Sequence, residues 1–201
     1  MVVYEQLLSR DPSWALQEGS MHFDKESAVH KALEKIAGRL REHNIPYVVV
    51  GGMAMFFHGY RRFTEDVDVL VSAEGLEQIH RELDGLGYVR VVPGGRNLRD
   101  AEYGVRIELL VAGDYHGDGK PKPVAFPSPD DCGMEIDGMR FLRLATLIEL
   151  KLASGTARGR RRDLADVQEL IRTLDLPEAF TEQLDPSVRD LYLELWAELQ
   201  G

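Results

Sequence analysis

In DVDVLV, residues 66–71, two aspartates alternate with valines before the run becomes wholly apolar. Residues i and i+2 of a strand project from the same face, so Val67 and Val69 enter a core while Asp66 and Asp68 stand side by side opposite them. Such a chain needs a sheet with one face covered and the other able to carry neighbouring carboxylates. Like charges about 5–7 Å apart repel, and nothing in folding asks for them. A divalent cation, hard and oxygen-seeking, turns that repulsion into coordination. GVRIELLV, residues 104–111, repeats the alternation with Glu108 between Ile107 and Leu109. If the two strands are neighbours, all three acids converge. Taken alone, the aspartate pair also fits the solvated face of an edge strand.

Upstream, YVVVGG places Gly51 and Gly52 at the end of a short β-rich run, Tyr47 to Val50, ahead of a helical MAMFFHG. Bare backbone N–H groups without Cβ atoms let a phosphate approach closely at such a junction. A tight turn explains one glycine better than two.

The surrounding pattern alternates helices with strands. Val29, Leu33, Ile36 and Leu40 recur at spacings of four and three, which predicts a helix with one buried stripe, Asp24 as its N-cap and an end near His43-Asn44. Ser72 caps a helix carrying Leu76, Ile79 and Leu83, and strands follow at Tyr88–Val92, Asn97–Glu102 and Val105–Val111, the last two as a hairpin. Residues 112–131 lack any period and read as a loop. EIDG turns a small hairpin into MRFL, and the remainder is helical: 144–154, 161–174, 177–184 and 188–199. The expected fold class is α/β (α+β), a small mixed sheet flanked by helices and followed by a C-terminal helical region. The expected organisation is an N-terminal arm (1–22), a core (23–140) and a helical region (141–201).

Lys151 breaks the pattern of its helix. At about 100° per residue it falls inside the arc of Leu144, Leu147, Ile148 and Leu152, where a surface lysine does not belong. It either snorkels at an edge or points into a cleft where an anion offsets its desolvation. Next come Arg158, Arg160, Arg161 and Arg162. They either steer a phosphate-rich substrate or form a solvated, acid-paired loop. Asp163 opens the following helix, as an N-cap or as a site residue, and Asp166 lies off the centre of its apolar stripe. His58 either bonds backbone or approaches a nucleotide. Arg62 and Thr64 either orient the acid-bearing strand or touch phosphate.

Bulk properties exclude several classes. The 201 residues carry a net charge of −10, from 34 acidic against 24 basic side chains, which argues against non-specific coating of nucleic acid. One cysteine, Cys132, rules out an intramolecular disulfide. Six scattered histidines make no structural zinc pattern, HGDGKPKP lacks the spaced acids of a calcium loop, and GGRN has neither P-loop nor dinucleotide spacing. MVVYEQLLSRDPSW meets polar residues too soon for a signal peptide, and no stretch is long and apolar enough to span a bilayer. The expectation is a cytoplasmic protein.

With these residues in view, GGMAMFFHGYRRFTEDVDVL resembles the opening of the nucleotidyltransferase superfamily, a glycine doublet followed by two strand-borne aspartates and a later acid. More narrowly, Arg62 and Thr64 before the acids, and Lys151 with RRDLADV after them, resemble the AbiEii/MenT-like nucleotidyltransferase toxins of abortive-infection and toxin–antitoxin systems. The resemblance spans roughly residues 30–172. It implies Asp66, Asp68 and Glu108 as catalytic metal ligands for Mg2+ or Mn2+. Gly51, Gly52, His58, Arg62, Thr64 and Lys151, with Asp163 or Asp166, then form the surroundings of a nucleoside triphosphate. Glu108 stands where Asp is commoner, which changes reach. The implied activity transfers a nucleoside monophosphate from the triphosphate to a hydroxyl of tRNA or other RNA, a protein or a small molecule, with a cognate antitoxin as a further partner. The alternative is a catalytically inactive nucleotide-binding or toxin–antitoxin interaction protein of the same fold.

Overall fold

The computed structural model describes residues 3–115, 120–157 and 159–201. Val2, the centre of the 112–131 loop with the start of HGDGKPKP, and Arg158 lie outside the described residues.

The N-terminal segment, expected as an arm over 1–22, carries two helices, α1 (Tyr4–Arg10) and α2 (Pro12–Phe23). Asp11 caps α2 by accepting from the Trp14 N–H, with Pro12 at the position where a missing N–H costs nothing. Helix α3 (Ala28–Glu42) follows. Its N-cap is Ser27, not Asp24: the Ser27 hydroxyl accepts from His30 N–H, and Asp24 instead closes α2. The predicted stripe is correct, for Val29, Leu33, Ile36 and Leu40 are wholly buried. Each such side chain contributes about 1.5–3 kcal/mol relative to exposure, so Leu33→Ala costs about 2–5 kcal/mol.

Strand β1 (Tyr47–Val50) runs directly into α4 (Gly51–His58), so the glycine doublet is the first turn of that helix rather than a link before it. After an irregular segment come β2 (Asp66–Val71), α5 (Ala73–Leu83) capped by Ser72, β3 (Tyr88–Arg90), β4 (Leu98–Asp100) and β5 (Arg106–Val111). Strand β3 stops at Arg90, two residues short of expectation, where the 93–96 turn takes over. The expected loop ends earlier than its composition suggests, in the short α6 (Pro129–Cys132). Then follow β6 (Gly133–Ile136), β7 (Met139–Leu142), α7 (Leu144–Gly155) and α8 (Arg161–Leu174). Two 3-10 turns, Glu178–Gln183 and Pro186–Val188, lead to α9 (Arg189–Glu198).

The strands form one mixed sheet in the order β3-β4-β5-β2-β1-β7-β6. Strand β2 sits at its centre, antiparallel to β1 and parallel to β5, with Asp66 opposite Arg106 and Asp68 opposite Glu108. Val67, Val69, Ile107 and Leu109 are wholly buried, as the alternation requires. The two acid-bearing strands are neighbours, and their polar residues share a face.

Candidate active site

Asp66, Asp68 and Glu108 each offer an oxygen within 4.8 Å of the others. The cause is register: parallel pairing of β2 with β5 puts Asp68 beside Glu108, and i+2 periodicity adds Asp66 on one side and Arg106 on the other. Arg106 Nη2 lies 3.6 Å from Glu108 Oε2. Thr64 donates its hydroxyl to Asp66 Oδ1 at 2.9 Å, fixing one carboxylate from its own strand's entrance. Desolvation raises the Asp68 carboxyl well above the usual carboxylate range, and the charges of Asp66 and Glu108 raise it further against the opposing fields of Lys151 and Arg106. Three hard oxygen donors that repel one another when empty are the donor set a divalent ion such as Mg2+ or Mn2+ takes, so these residues fit the metal.

The triad lies in a cleft of about 660 Å3 whose lining includes Gly51, Gly52, Arg62, Thr64, Lys151, Asp163 and Asp166. Sequence-distant residues from α4, the 60–65 segment, α7 and α8 therefore meet around the acids. The doublet has a second reason to be glycine. A Cβ on Gly51 would fall 1.8 Å from Asp68 Oδ2, and one on Gly52 2.7 Å from Thr64 Oγ1. Absence of side chains makes room for the Asp68 carboxylate and for the threonine that orients its neighbour.

Lys151 is buried, but its ammonium is already engaged: Nζ lies 2.7 Å from Asp166 Oδ2 and 3.2 Å from Asp163 Oδ1. Asp163 is no N-cap, since α8 begins at Arg161. Its carboxylate accepts from Ser154 Oγ and Arg160 Nε as well as Lys151. Burial works against its ionisation, yet Lys151, the Ser154 bond and Arg160 together hold its carboxyl below the ordinary range. Asp166, off-centre in sequence terms, links two walls of the cleft: it bridges Lys151 and Arg62, whose Nε is 3.2 Å from Asp166 Oδ1. A buried ion cluster of this kind holds only when most of its hydrogen-bonding groups are used, as they are here.

His58 is not brought to the cleft. Its Nε2 is 2.7 Å from the Leu142 carbonyl of β7, the backbone bond that was one of its two readings. The lining also includes residues that were not singled out: Glu65, Arg96, Tyr115 and Phe126. Arg106 and Ser154 were within reach of the sequence, Arg106 standing two before Glu108 in the same strand and Ser154 three after Lys151 on the same helix.

No family model matches the chain, and no curated protein matches it in sequence. Among solved structures, 84% of the chain aligns with 92% of the antibiotic-resistance factor ANT(2'')-Ia in solution, at 16% identity and a TM-score of 0.51. The crystal structure of ANT(2'')-Ia in complex with adenylyl-2''-tobramycin aligns over 85% of this chain and 98% of that one, at 13% identity and a TM-score of 0.52. A nucleotidyltransferase-like protein from Paracoccidioides brasiliensis aligns over 84% and 85%, at 18% identity and a TM-score of 0.46. At such identities the likeness is one of fold alone: the chain shares the fold of ANT(2'')-Ia.

Proposed function

We propose that this protein is a divalent-metal-dependent nucleotidyltransferase that moves a nucleoside monophosphate from a nucleoside triphosphate to an acceptor hydroxyl. The observation that supports this reading most is the convergence of Asp66, Asp68 and Glu108 beside the Gly51-Gly52 turn in one cleft. In the reaction, the acceptor oxygen bonds to the α-phosphorus, the bond from that phosphorus to the β-phosphate oxygen breaks, pyrophosphate leaves, and the hydroxyl proton passes to solvent.

Asp66, Asp68 and Glu108 would hold the cation, whose positive charge polarises the triphosphate and lowers the pKa of the acceptor hydroxyl. The Gly51-Gly52 backbone lies in the first turn of a helix, where N–H groups have no intrahelical partner, and suits the phosphate oxygens. Lys151 has three N–H donors, two of them directed at Asp163 and Asp166. The third remains for a phosphate, so the aspartates position the ammonium as well as neutralise it. Arg62, held by Asp166, adds positive charge to the same wall. In this reading residues 23–140 form the catalytic core and 141–201 complete the nucleotide cleft.

The narrower resemblance, carried by Lys151 and RRDLADV, supports a place among AbiEii/MenT-like toxins with a cognate antitoxin and a cytoplasmic site of action. RNA, protein and small-molecule hydroxyls are the candidate acceptors. The test incubates purified protein with Mg2+ or Mn2+, each of four α-labelled nucleoside triphosphates and cell extract, then separates RNA, protein and small molecules. Label in one fraction, lost in Asp68→Asn, supports transfer. Calorimetric binding of metal and nucleotide without product supports the inactive binding protein instead.

A further inference from the structure

Residues 61–65, between α4 and β2, carry two of the groups that organise the cleft: Arg62, which holds Asp166, and Thr64, which holds Asp66. Among the described residues, this segment makes no backbone–backbone hydrogen bond. Its Arg62 carbonyl accepts instead from a side chain 40 positions earlier, His22 Nε2 on α2, at 3.1 Å.

His22 is built in firmly. It is wholly buried, its ring lies 5.1 Å from those of Phe56 and Phe63 and 4.8 Å from that of His30, and its Nδ1 is 3.4 Å from Ser27 Oγ, the cap of α3. Bonding of Nε2 to a carbonyl requires the proton on Nε2, which leaves Nδ1 to accept from Ser27. Burial lowers its pKa, so the neutral form that makes this arrangement is the one the fold keeps. An imidazole from the first 23 residues thus pins the midpoint of a segment that has no ladder of its own and ends in the metal-binding strand.

From this geometry we infer that His22 is a positioning residue of the transfer site, acting through the Arg62 carbonyl on Arg62 and Thr64, and that the N-terminal helical pair is a working part of the site. It touches neither metal nor nucleotide. The inference rests on the proposed function for its enzymatic consequence, but its structural consequence stands apart.

The test compares His22→Gln, which keeps a donor at similar reach but gives up the ring, with His22→Met, which keeps apolar volume and has no donor. The first readout is the rate of tryptic cleavage after Arg61 and Arg62, located by mass spectrometry. The second is Mn2+ affinity by calorimetry, and the third, where transfer is observed, is the split between kcat and KM for nucleotide. Positioning predicts that His22→Met speeds local cleavage severalfold and weakens Mn2+ binding by roughly tenfold, the scale on which outer-shell partners act, while His22→Gln stays near wild type in both. A role in packing alone predicts the reverse order, because a buried methionine suits an aromatic pocket better than a glutamine. That order, or identical cleavage in both variants, overturns the inference. If the wild type transfers no nucleotide while cleavage and Mn2+ affinity still rank glutamine above methionine, the enzymatic reading fails and the positioning role survives.

Discussion

Gly51 lies against Asp68 so closely that a single methyl group at its Cβ would overlap Asp68 Oδ2, at 1.8 Å. Gly51 also has φ +61°, a backbone region that L side chains occupy at a cost of about 1–2 kcal/mol. Gly51→Ala should displace the central carboxylate and reduce Mn2+ affinity and transfer by about 10–100-fold. Gly52→Ala meets Thr64 and should have a smaller effect. Calorimetric metal titration of the two variants checks the order, and a stronger loss in Gly52→Ala would contradict it.

Asp68→Asn should abolish transfer and yet stabilise the metal-free protein. The Asp68 carboxyl lies above its usual range in the fold, so its contribution to stability is full at low pH and is lost as pH rises through the folded value. Ionising this group therefore opposes folding. Thermal melts at pH 7 without metal should show Tm raised by about 2–4 °C per kcal/mol of relieved repulsion. Mn2+ should stabilise the wild type and leave Asp68→Asn almost unmoved.

Removing Lys151 should damage the fold as well as the site. Lys151→Ala removes the cation shared by two buried carboxylates, leaving Asp163 with Ser154 and Arg160 and Asp166 with Arg62. Loss of one partner from a buried ion cluster costs about 3–5 kcal/mol. Adding Asp166→Asn to that background should recover part of the loss, and urea unfolding of the double-mutant cycle measures it. Additive losses would mean that the pair does not couple.

Acid should unfold the protein partly through His30. Burial, with the fields of His22 and Lys25, lowers its pKa from 6.5 to about 4. The folded value lies below the unfolded one, so its stabilising contribution is present above pH 6.5 and is lost as pH falls through the window to about 4. The full shift corresponds to about 3 kcal/mol. His30→Phe, which keeps a ring, should flatten the decline in stability between pH 6.5 and 4 in urea titrations at stepped pH.

Where local chemistry decides a feature, the chain alone revealed it. The period of Val29, Leu33, Ile36 and Leu40 marked α3, and the alternation around Asp66, Asp68 and Glu108 marked the acid-bearing strands and their common face. Lys151 stood out because it interrupts an apolar arc. Asp163 and Asp166 were candidates beside it, but their direct bonds to its ammonium were not legible, because they form across the packing of α7 on α8, a contact no period encodes. Ser27 and Asp24 are both good caps, and only the hydrogen bond to His30 N–H chooses between them. His22 carries no pattern at all. It is one residue in a weakly patterned helix, and its importance comes from a carbonyl 40 residues away.

The acids sit on β2 and β5, neighbouring strands inside a seven-stranded sheet, whereas Lys151, Asp163 and Asp166 across the cleft come from α7 and α8. This divides the site into a floor spaced by strand pairing and a facing wall spaced by an ion cluster, so the two halves keep their geometry through different interactions. A shift in the packing of α7 against α8 would carry Lys151 across the cleft and leave the spacing of Asp66, Asp68 and Glu108 as the strands set it.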